Sequence, residues 1–444
     1  MSSPRLHRAG GSAALEHLRS LNVPASADLE DTPRPKRGPR PNTRHDRRAR
    51  RRAIRSRRRS VVGRHPYRAG ALGVVLALTP VWISLGAALN NPGLGSSLSA
   101  RFAEWARENG AGPVVVWAEN LWYSHHQPPV GGKPLNGAIP PPPGSTPSGT
   151  RSSAHLVAHL PVPAPITPLA SPPIAGEGVW RPVGRKVDGL PAVYEAYLRP
   201  DPIHTSVVVG VAWMDTKLLR ATLYSGSTIP GGGPYPDTAP IEPGAAKSLV
   251  AAFNAGFLMG NANGGYYTDG HVVMPLRAGA ASLVIYRNGT ATVADWGRDS
   301  TLTSNVVAVR QNLDLLVDGG KPVPGLNAND TSQWGYTLGN QVYVWRSGVG
   351  VTADGALVYV GGPGLNITTL ANLLVRARAV RGMELDINTD WVSFATYTPS
   401  TATAPAAPAN GSLLLSGMTG TTARYFESWW SRDFFTMSAR GSAG

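Results

Sequence analysis

The chain has 444 residues, a formal net charge of +15 and no cysteine. The charge is uneven: residues 1–68 hold 19 Lys or Arg against 5 Asp or Glu, and the remaining 376 residues hold 23 against 22. This division excludes a uniformly basic nucleic-acid-binding protein, and the missing cysteine excludes disulfide frameworks, thiolate nucleophiles and Cys-ligated zinc.

Residues 1–68 are rich in Arg and Pro and poor in aromatics, a composition that cannot bury enough apolar surface to offset the entropy of ordering. They read as a disordered basic arm. Ala69 to Leu89 then gives 21 residues without a charge, and about 20 apolar residues cross a hydrocarbon core. Pro80 lies mid-span, where proline is better tolerated than in soluble helices. A cleaved signal peptide has a shorter apolar stretch, so residues 69–89 are expected to be a transmembrane helix acting as an uncleaved signal-anchor. Sixteen Lys or Arg lie between Arg34 and Arg68. The positive-inside rule therefore puts the N-terminus in the cytoplasm and everything after Leu89 outside the plasma membrane, in a single pass. A nucleic-acid role for residues 34–68 conflicts with that span.

Residues 90–126 form a juxtamembrane segment with helical spacing between Ser96 and Ser124. Residues 127–175 contain 14 prolines and read as a stiff, extended linker with no core. From residue 176 to 444, short apolar runs alternate with Gly-rich turns. Strands are expected at Val207–Trp213, Leu219–Tyr224, Val306–Arg310 and Leu313–Val317, and at Gln341–Trp345 leading to Val349–Thr352. Hairpins are expected around Arg287-Asn288-Gly289 and Ala353-Asp354-Gly355. One helix starts at Thr368 or Thr369 as N-cap and runs through Leu370, Leu373, Leu374 and Ala377. The strand Gly382 to Asp386 follows. The aromatics from Tyr425 to Phe435 read as core or lid packing. The fold class is α+β: one mixed, strand-rich domain.

Three segments carry chemistry. Ala252 to Phe257, with Asn254 and Gly256, precedes an Asn- and Gly-rich loop at Asn261 to Tyr267 where backbone can approach a ligand closely. Arg346 sits between a strand and a glycine turn, and its planar fork suits a phosphate or carboxylate. Glu384-Leu385-Asp386-Ile387-Asn388-Thr389-Asp390 is the densest acidic cluster of the domain. Strand alternation puts Glu384 and Asp386 on one face. Paired carboxylates suit acid/base work on a glycosidic bond, while carboxylates with Asn388 equally suit Ca²⁺.

The order of these pieces resembles the phosphodiester glycosidase family, which includes the enzyme removing N-acetylglucosamine from N-acetylglucosamine-1-phosphate diesters. The resemblance covers about Val207 to Phe394. It rests on Asn254-Ala255-Gly256-Phe257, the strand from Arg346 with its Asp354-Gly355 hairpin, the glycine turn and helix of Gly361 to Leu374, and the strand ending Leu385-Asp386. Two departures stand out. Ala255 replaces a glycine, and Ile387 to Trp391 replaces a run of glycines ending in Ser.

The resemblance implies hydrolysis of sugar-1-phosphate diesters, here aminosugar-1-phosphate linkages of cell-envelope glycans. Asp386 would be the nucleophile or charge-stabilising carboxylate, with Glu384 or Asp390 as its partner. Arg346 would hold the phosphate, assisted by Arg277 or Arg310, and Asn254 would bind the sugar. No cofactor and no metal is required, with Ca²⁺ near Asp386 as the variant. The bulky loop after Asp386 leaves an alternative, a non-catalytic glycan-binding or scaffolding domain on the outer membrane face.

Overall fold

A computed structural model of the chain describes residues 51, 66–95, 97–111, 114, 127–143, 158–327, 329, 333–335, 342–418 and 420–441. Apart from residues 51 and 66–68, the basic arm lies outside the described residues. Two units are distinguished, Met1–Leu78 and Thr79–Gly444. In the first, the described stretch is the beginning of helix α1 (Pro66–Leu89), which carries Pro80 inside it. Within it, Ala71–Leu89 is long and apolar enough to cross a membrane.

In the second unit, α1 ends with Arg101 donating to Leu89 O and Gly95 O, both at 2.9 Å. Arg101 belongs to helix α2 (Leu98–Ala106), which folds back so that Trp105 Nε1 donates to Ser84 Oγ at 3.0 Å. Of the helical spacing expected over residues 96–124, Leu98–Ala106 is helical, and Asn109 and Gly110 then leave helical geometry. Most of residues 112–126 lie outside the described residues.

In its described residues the proline-rich stretch packs on the domain, which departs from the expectation of an extended linker with no core. Its prolines leave carbonyls without matching N–H groups, and side chains of the domain donate to those carbonyls. Trp180 Nε1 donates to Ala164 O, Arg376 Nη1 to Thr167 O, and Arg199 Nη2 to Ala170 O and Pro172 O. Leu160 and Ile166 are buried in the domain's second apolar cluster.

The strands follow in chain order: β1 (Arg181–Val187), β2 (Leu190–Leu198), β3 (Val209–Met214), β4 (Leu219–Tyr224), β5 (Leu249–Asn254), β6 (Tyr266–Thr268), β7 (His271–Met274), β8 (Ala281–Tyr286) and β9 (Ala291–Asp295). Then come β10 (Val306–Gln311), β11 (Leu315–Asp318), β12 (Lys321–Pro322), β13 (Val344–Thr352), β14 (Leu357–Leu365), β15 (Ala379–Ile387), β16 (Phe394–Tyr397), β17 (Gly411–Leu413) and β18 (Phe434–Ala439). Helix α3 (Ile367–Arg376) links β14 to β15. An eight-stranded sheet has the order β1-β2-β3-β14-β13-β15-β11-β12, and two five-stranded sheets have the orders β7-β6-β10-β8-β9 and β17-β16-β5-β18-β4. The domain is strand-rich with few helices, as expected.

Alternation decides which face packs on what. On β3 and β14, Ala212, Met214, Leu357 and Tyr359 face the core shared with the smaller sheets. Val211, Trp213, Val358 and Val360 face α3. Leu370, Leu373 and Leu374 of α3 are fully buried there, each contributing roughly 1.5–3 kcal/mol. Its N-cap is Asn366, whose Oδ1 accepts from Thr369 N at 2.8 Å. The cap thus lies two or three residues before the expected threonines, because the Asn side chain reaches the orphan N–H first.

Candidate active site

Strand β15 runs regularly beside β13 until its last residues. Gly348 pairs with Glu384, but Arg346 pairs with Ile387, so β15 carries one extra residue there. This is a β-bulge, which leaves a residue unpaired and re-aims side chains. Leu385 points into the core between the sheets, while Ile387 points to the α3 side. Uninterrupted alternation would have kept them together. Asp386 is therefore turned away from Glu384, correcting the expectation that both share a face.

Side chains hold the bulge by taking up the carbonyls that the ladder cannot pair. Asn312 Nδ2 donates to Glu384 O at 3.0 Å and Leu385 O at 3.1 Å. Ser347 Oγ donates to Asp386 O at 2.8 Å. Asn312 Oδ1 in turn accepts from Phe257 N at 3.0 Å. A Cβ on Gly256 would lie 2.7 Å from that Oδ1, so glycine is required there by close approach.

The two carboxylates have different company. Glu384 is fully buried and Oε1 accepts from Arg346 Nη1 at 2.6 Å. Arg346 also donates to Leu365 O through Nε and to Trp334 O through Nη1, and it is 1% exposed. Burial pushes the Glu384 carboxyl up to about 7, against the pull of Arg346. Asp386 faces Arg432, whose Nη1 lies 3.9 Å from Oδ2. That nitrogen has no hydrogen-bond partner among the described residues. The Arg432 guanidinium stacks 4.2 Å from the centroid of the Trp391 ring. Burial pushes the Asp386 carboxyl up to about 7, opposed by Arg432 and the Ile387 N–H, with neighbouring Asp433 adding to the rise. Asp433 Oδ2 accepts from Arg310 Nε at 2.6 Å, and its Oδ1 has no hydrogen-bond partner among the described residues.

The other expected site residues fall as follows. Arg310 joins this cluster through Asp433, but its remaining nitrogens are taken by Gln311 O and Phe257 O. Asn254 is saturated: Nδ2 donates to Ala255 O and Ser347 Oγ, and Oδ1 accepts from Tyr359 OH and Ser393 N. It ties strands together and has no capacity left for a sugar, which corrects its expected role. Arg277 instead ties the loop at Asn263 to Asp314, at 2.6 Å. Asn388, at φ +90°, accepts from Asp390 N in a tight turn that delivers Trp391 beside Arg432. Asp390 lies toward Arg424, whose charge it supports. Among the described residues no three of His, Asp and Glu come together to hold a metal. Glu384 holds Arg346 through Oε1, and its Oε2 has no hydrogen-bond partner among the described residues.

Sequence reasoning missed Asn312, Ser347, Trp391, Arg432 and Asp433. The one visible signal was Arg432-Asp433, a charged doublet set in the apolar run Trp429 to Phe435, where burial obliges each charge to find a partner.

Residues 247–386 match the family model described as phosphodiester glycosidase. No curated protein matches the chain. Among solved structures, it is similar to the zebrafish N-acetylglucosamine-1-phosphodiester alpha-N-acetylglucosaminidase catalytic domain auto-inhibited by pro-peptide. That similarity has 14% identity, covers 59% of this chain and 87% of that one, and gives a TM-score of 0.37. A hypothetical protein from Synechocystis matches at 13% identity over 59% of this chain and 64% of that one, TM-score 0.30. A putative exported protein from Burkholderia pseudomallei K96243 matches at 13% over 52% and 74%, TM-score 0.29. The matched family segment runs from just before β5 to Asp386, and over residues 247–386 the chain is similar to the phosphodiester glycosidase family.

Proposed function

We propose that the protein is a membrane-anchored, extracytoplasmic glycosidase that hydrolyses sugar-1-phosphate diesters, with aminosugar-1-phosphate linkages of envelope glycans as substrate. The observation that carries this reading is Asp386. It is a buried carboxyl pushed to about 7, at the end of the family segment, beside a guanidinium with an unbonded N–H edge. In this reading the anomeric C–O bond breaks and its electron pair leaves with the phosphate. Water supplies the hydroxyl of the free sugar, and one of its protons ends on the phosphate monoester. The phosphate is a fair leaving group, so Asp386 serves chiefly to attack or electrostatically steady the anomeric carbon. Arg432 takes the phosphate role first expected of Arg346. The apolar helix anchors the domain, with the basic arm in the cytoplasm.

One observation favours the second reading, a glycan-binding domain without turnover. Asp386 is only 4% exposed, and the Arg432–Trp391 stack must shift to admit a substrate. The test is to incubate the detergent-solubilised full chain with N-acetylglucosamine-1-phosphate diesters of several alcohols and measure free sugar. Release abolished by Asp386→Asn supports hydrolysis. Binding of the same esters without release favours the second reading and contradicts the first.

A further inference from the structure

The loop that delivers Arg432 to the site is also tied to the exit of the apolar helix. Ser431 Oγ donates to Gly93 O at 2.6 Å. A Cβ on Gly93 would stand 3.3 Å from Trp429 O and 3.4 Å from Ser431 Cβ, so the two segments are in direct contact. The loop is fixed from the other side by Ser227 N donating to Trp430 O and Ile229 N to Ser431 O. Four consecutive residues, Trp429 to Arg432, therefore connect the end of α1 to the Asp386 carboxylate.

The surroundings of that contact suit a bilayer surface. Helix α2 folds back to Ser84, ~7.5 Å along α1 from Leu89. It leaves Leu98 and Phe102 exposed, 64% and 47%, while Arg101 caps the helix end. An amphipathic helix lying across the end of an apolar span is the arrangement of an interfacial segment, buried ~5–10 Å into the headgroup boundary. Trp429, 37% exposed, stands beside Gly93, and tryptophan favours that level of a membrane.

We propose that the Asp386 site works at the membrane surface, on a sugar 1-phosphate esterified to a lipid alcohol. This rests on the anchored glycosidase reading. Water adds to the anomeric carbon, the C–O bond to phosphate breaks, and free sugar leaves the bilayer while the lipid phosphate monoester stays in it. A long Pro-rich tether would have served a distant polymer; the packed proline segment and the Ser431–Gly93 contact hold the site close instead.

The test uses the full chain in vesicles of phosphatidylethanolamine and phosphatidylglycerol. N-acetylglucosamine 1-phosphate is presented as a polyprenyl ester embedded in the same vesicles or as the soluble methyl ester. The proposal expects kcat/KM at least about tenfold higher for the embedded ester, from local concentration. It also expects Ser431→Ala to reduce that preference and leave methyl ester turnover unchanged. Equal rates overturn the lipid substrate while leaving the glycosidase reading intact; no release from either ester removes both. A second measurement needs no turnover. Because the chain lacks cysteine, Trp429→Cys and Ala353→Cys each take one fluorophore. Ala353 lies at the far end of β13 from Arg346, about 23 Å away. Quenching by lipid-borne spin labels at 429 and not at 353 supports the placement, and equal quenching at both contradicts it.

Discussion

Glu384 and Asp386 are two residues apart on one strand and live in opposite surroundings. Glu384 Oε1 meets Arg346 Nη1 at 2.6 Å, and that arginine also donates to Leu365 O and Trp334 O, while Glu384 Oε2 has no hydrogen-bond partner among the described residues. Asp386 meets Arg432 only at 3.9 Å, and that arginine stacks on an indole with an N–H edge unbonded. The difference comes from a single extra residue in β15, and it teaches that one register shift gives neighbouring carboxylates a tight partner in one case and a loose one in the other. A buried pair with good geometry resists change; a loose one keeps the capacity to rearrange around an incoming anion.

The sharpest way to break this contrast is to exchange the two carboxylates' fates by mutation. Asp386→Asn is expected to lower free-sugar release by about 10³-fold or more, measured as kcat/KM on a sugar-1-phosphate diester. The same substitution is expected to raise stability at pH 8 by roughly 2 kcal/mol, read by urea denaturation, because it removes a charge that burial disfavours. Glu384→Ala should do the reverse to stability. It strands Arg346 in the interior and costs about 3–5 kcal/mol, visible as a large drop in the urea midpoint.

The bulge itself can be probed next. Asn312→Ala removes the donor shared by Glu384 O and Leu385 O and is expected to cost about 1–3 kcal/mol. It should also lower kcat more than it raises KM, because Asp386 loses its aim.

The pH dependence follows from the raised carboxyls. In the unfolded chain Asp386 releases its proton near 3.8, and in the folded one near 7. The folded state therefore binds that proton more tightly, and stability falls as pH rises from about 4 to about 7. Glu384, raised from 4.5 to about 7, acts in the same direction. The urea midpoint of Asp386→Asn should therefore gain on that of the wild type as pH rises across this range. The smallest effect belongs to Arg277→Ala. The side chains of its bridge to Asp314 are 36% and 42% exposed, so the change should cost under about 1 kcal/mol and leave activity intact.

Much of the scaffold is legible in the sequence because local chemistry and tertiary structure agree. Asn288-Gly289 and Asp354-Gly355 demand positive φ at their glycines, and both hairpins form there. Helix α3 has a strong apolar stripe and a capping residue. Strand β5 escapes a reading by pattern because Leu249 to Asn254 is buried on both sides and shows no alternation. Strand β18 is hidden in the same way by the aromatics that precede it. The site is only half legible. Asp386 and Arg310 can be found from residue type and order, but the bulge that separates Asp386 from Glu384 is a register event, created by Asn312 and Ser347 reaching in from outside β15. No spacing within β15 announces it. Asn254 and Arg346 suggest substrate contacts because they are the residue types that bind sugars and phosphates, yet Asn254 has spent its hydrogen bonds on the fold and Arg346 gives Nε and Nη1 to it.

The central claim is that the reacting carboxylate is Asp386 and not its neighbour. The most direct measurement compares free sugar released from the methyl ester of N-acetylglucosamine 1-phosphate by wild type, Asp386→Asn and Glu384→Gln, each confirmed folded by circular dichroism. The account predicts release by wild type, residual release by Glu384→Gln and none by Asp386→Asn; full release by Asp386→Asn would contradict it.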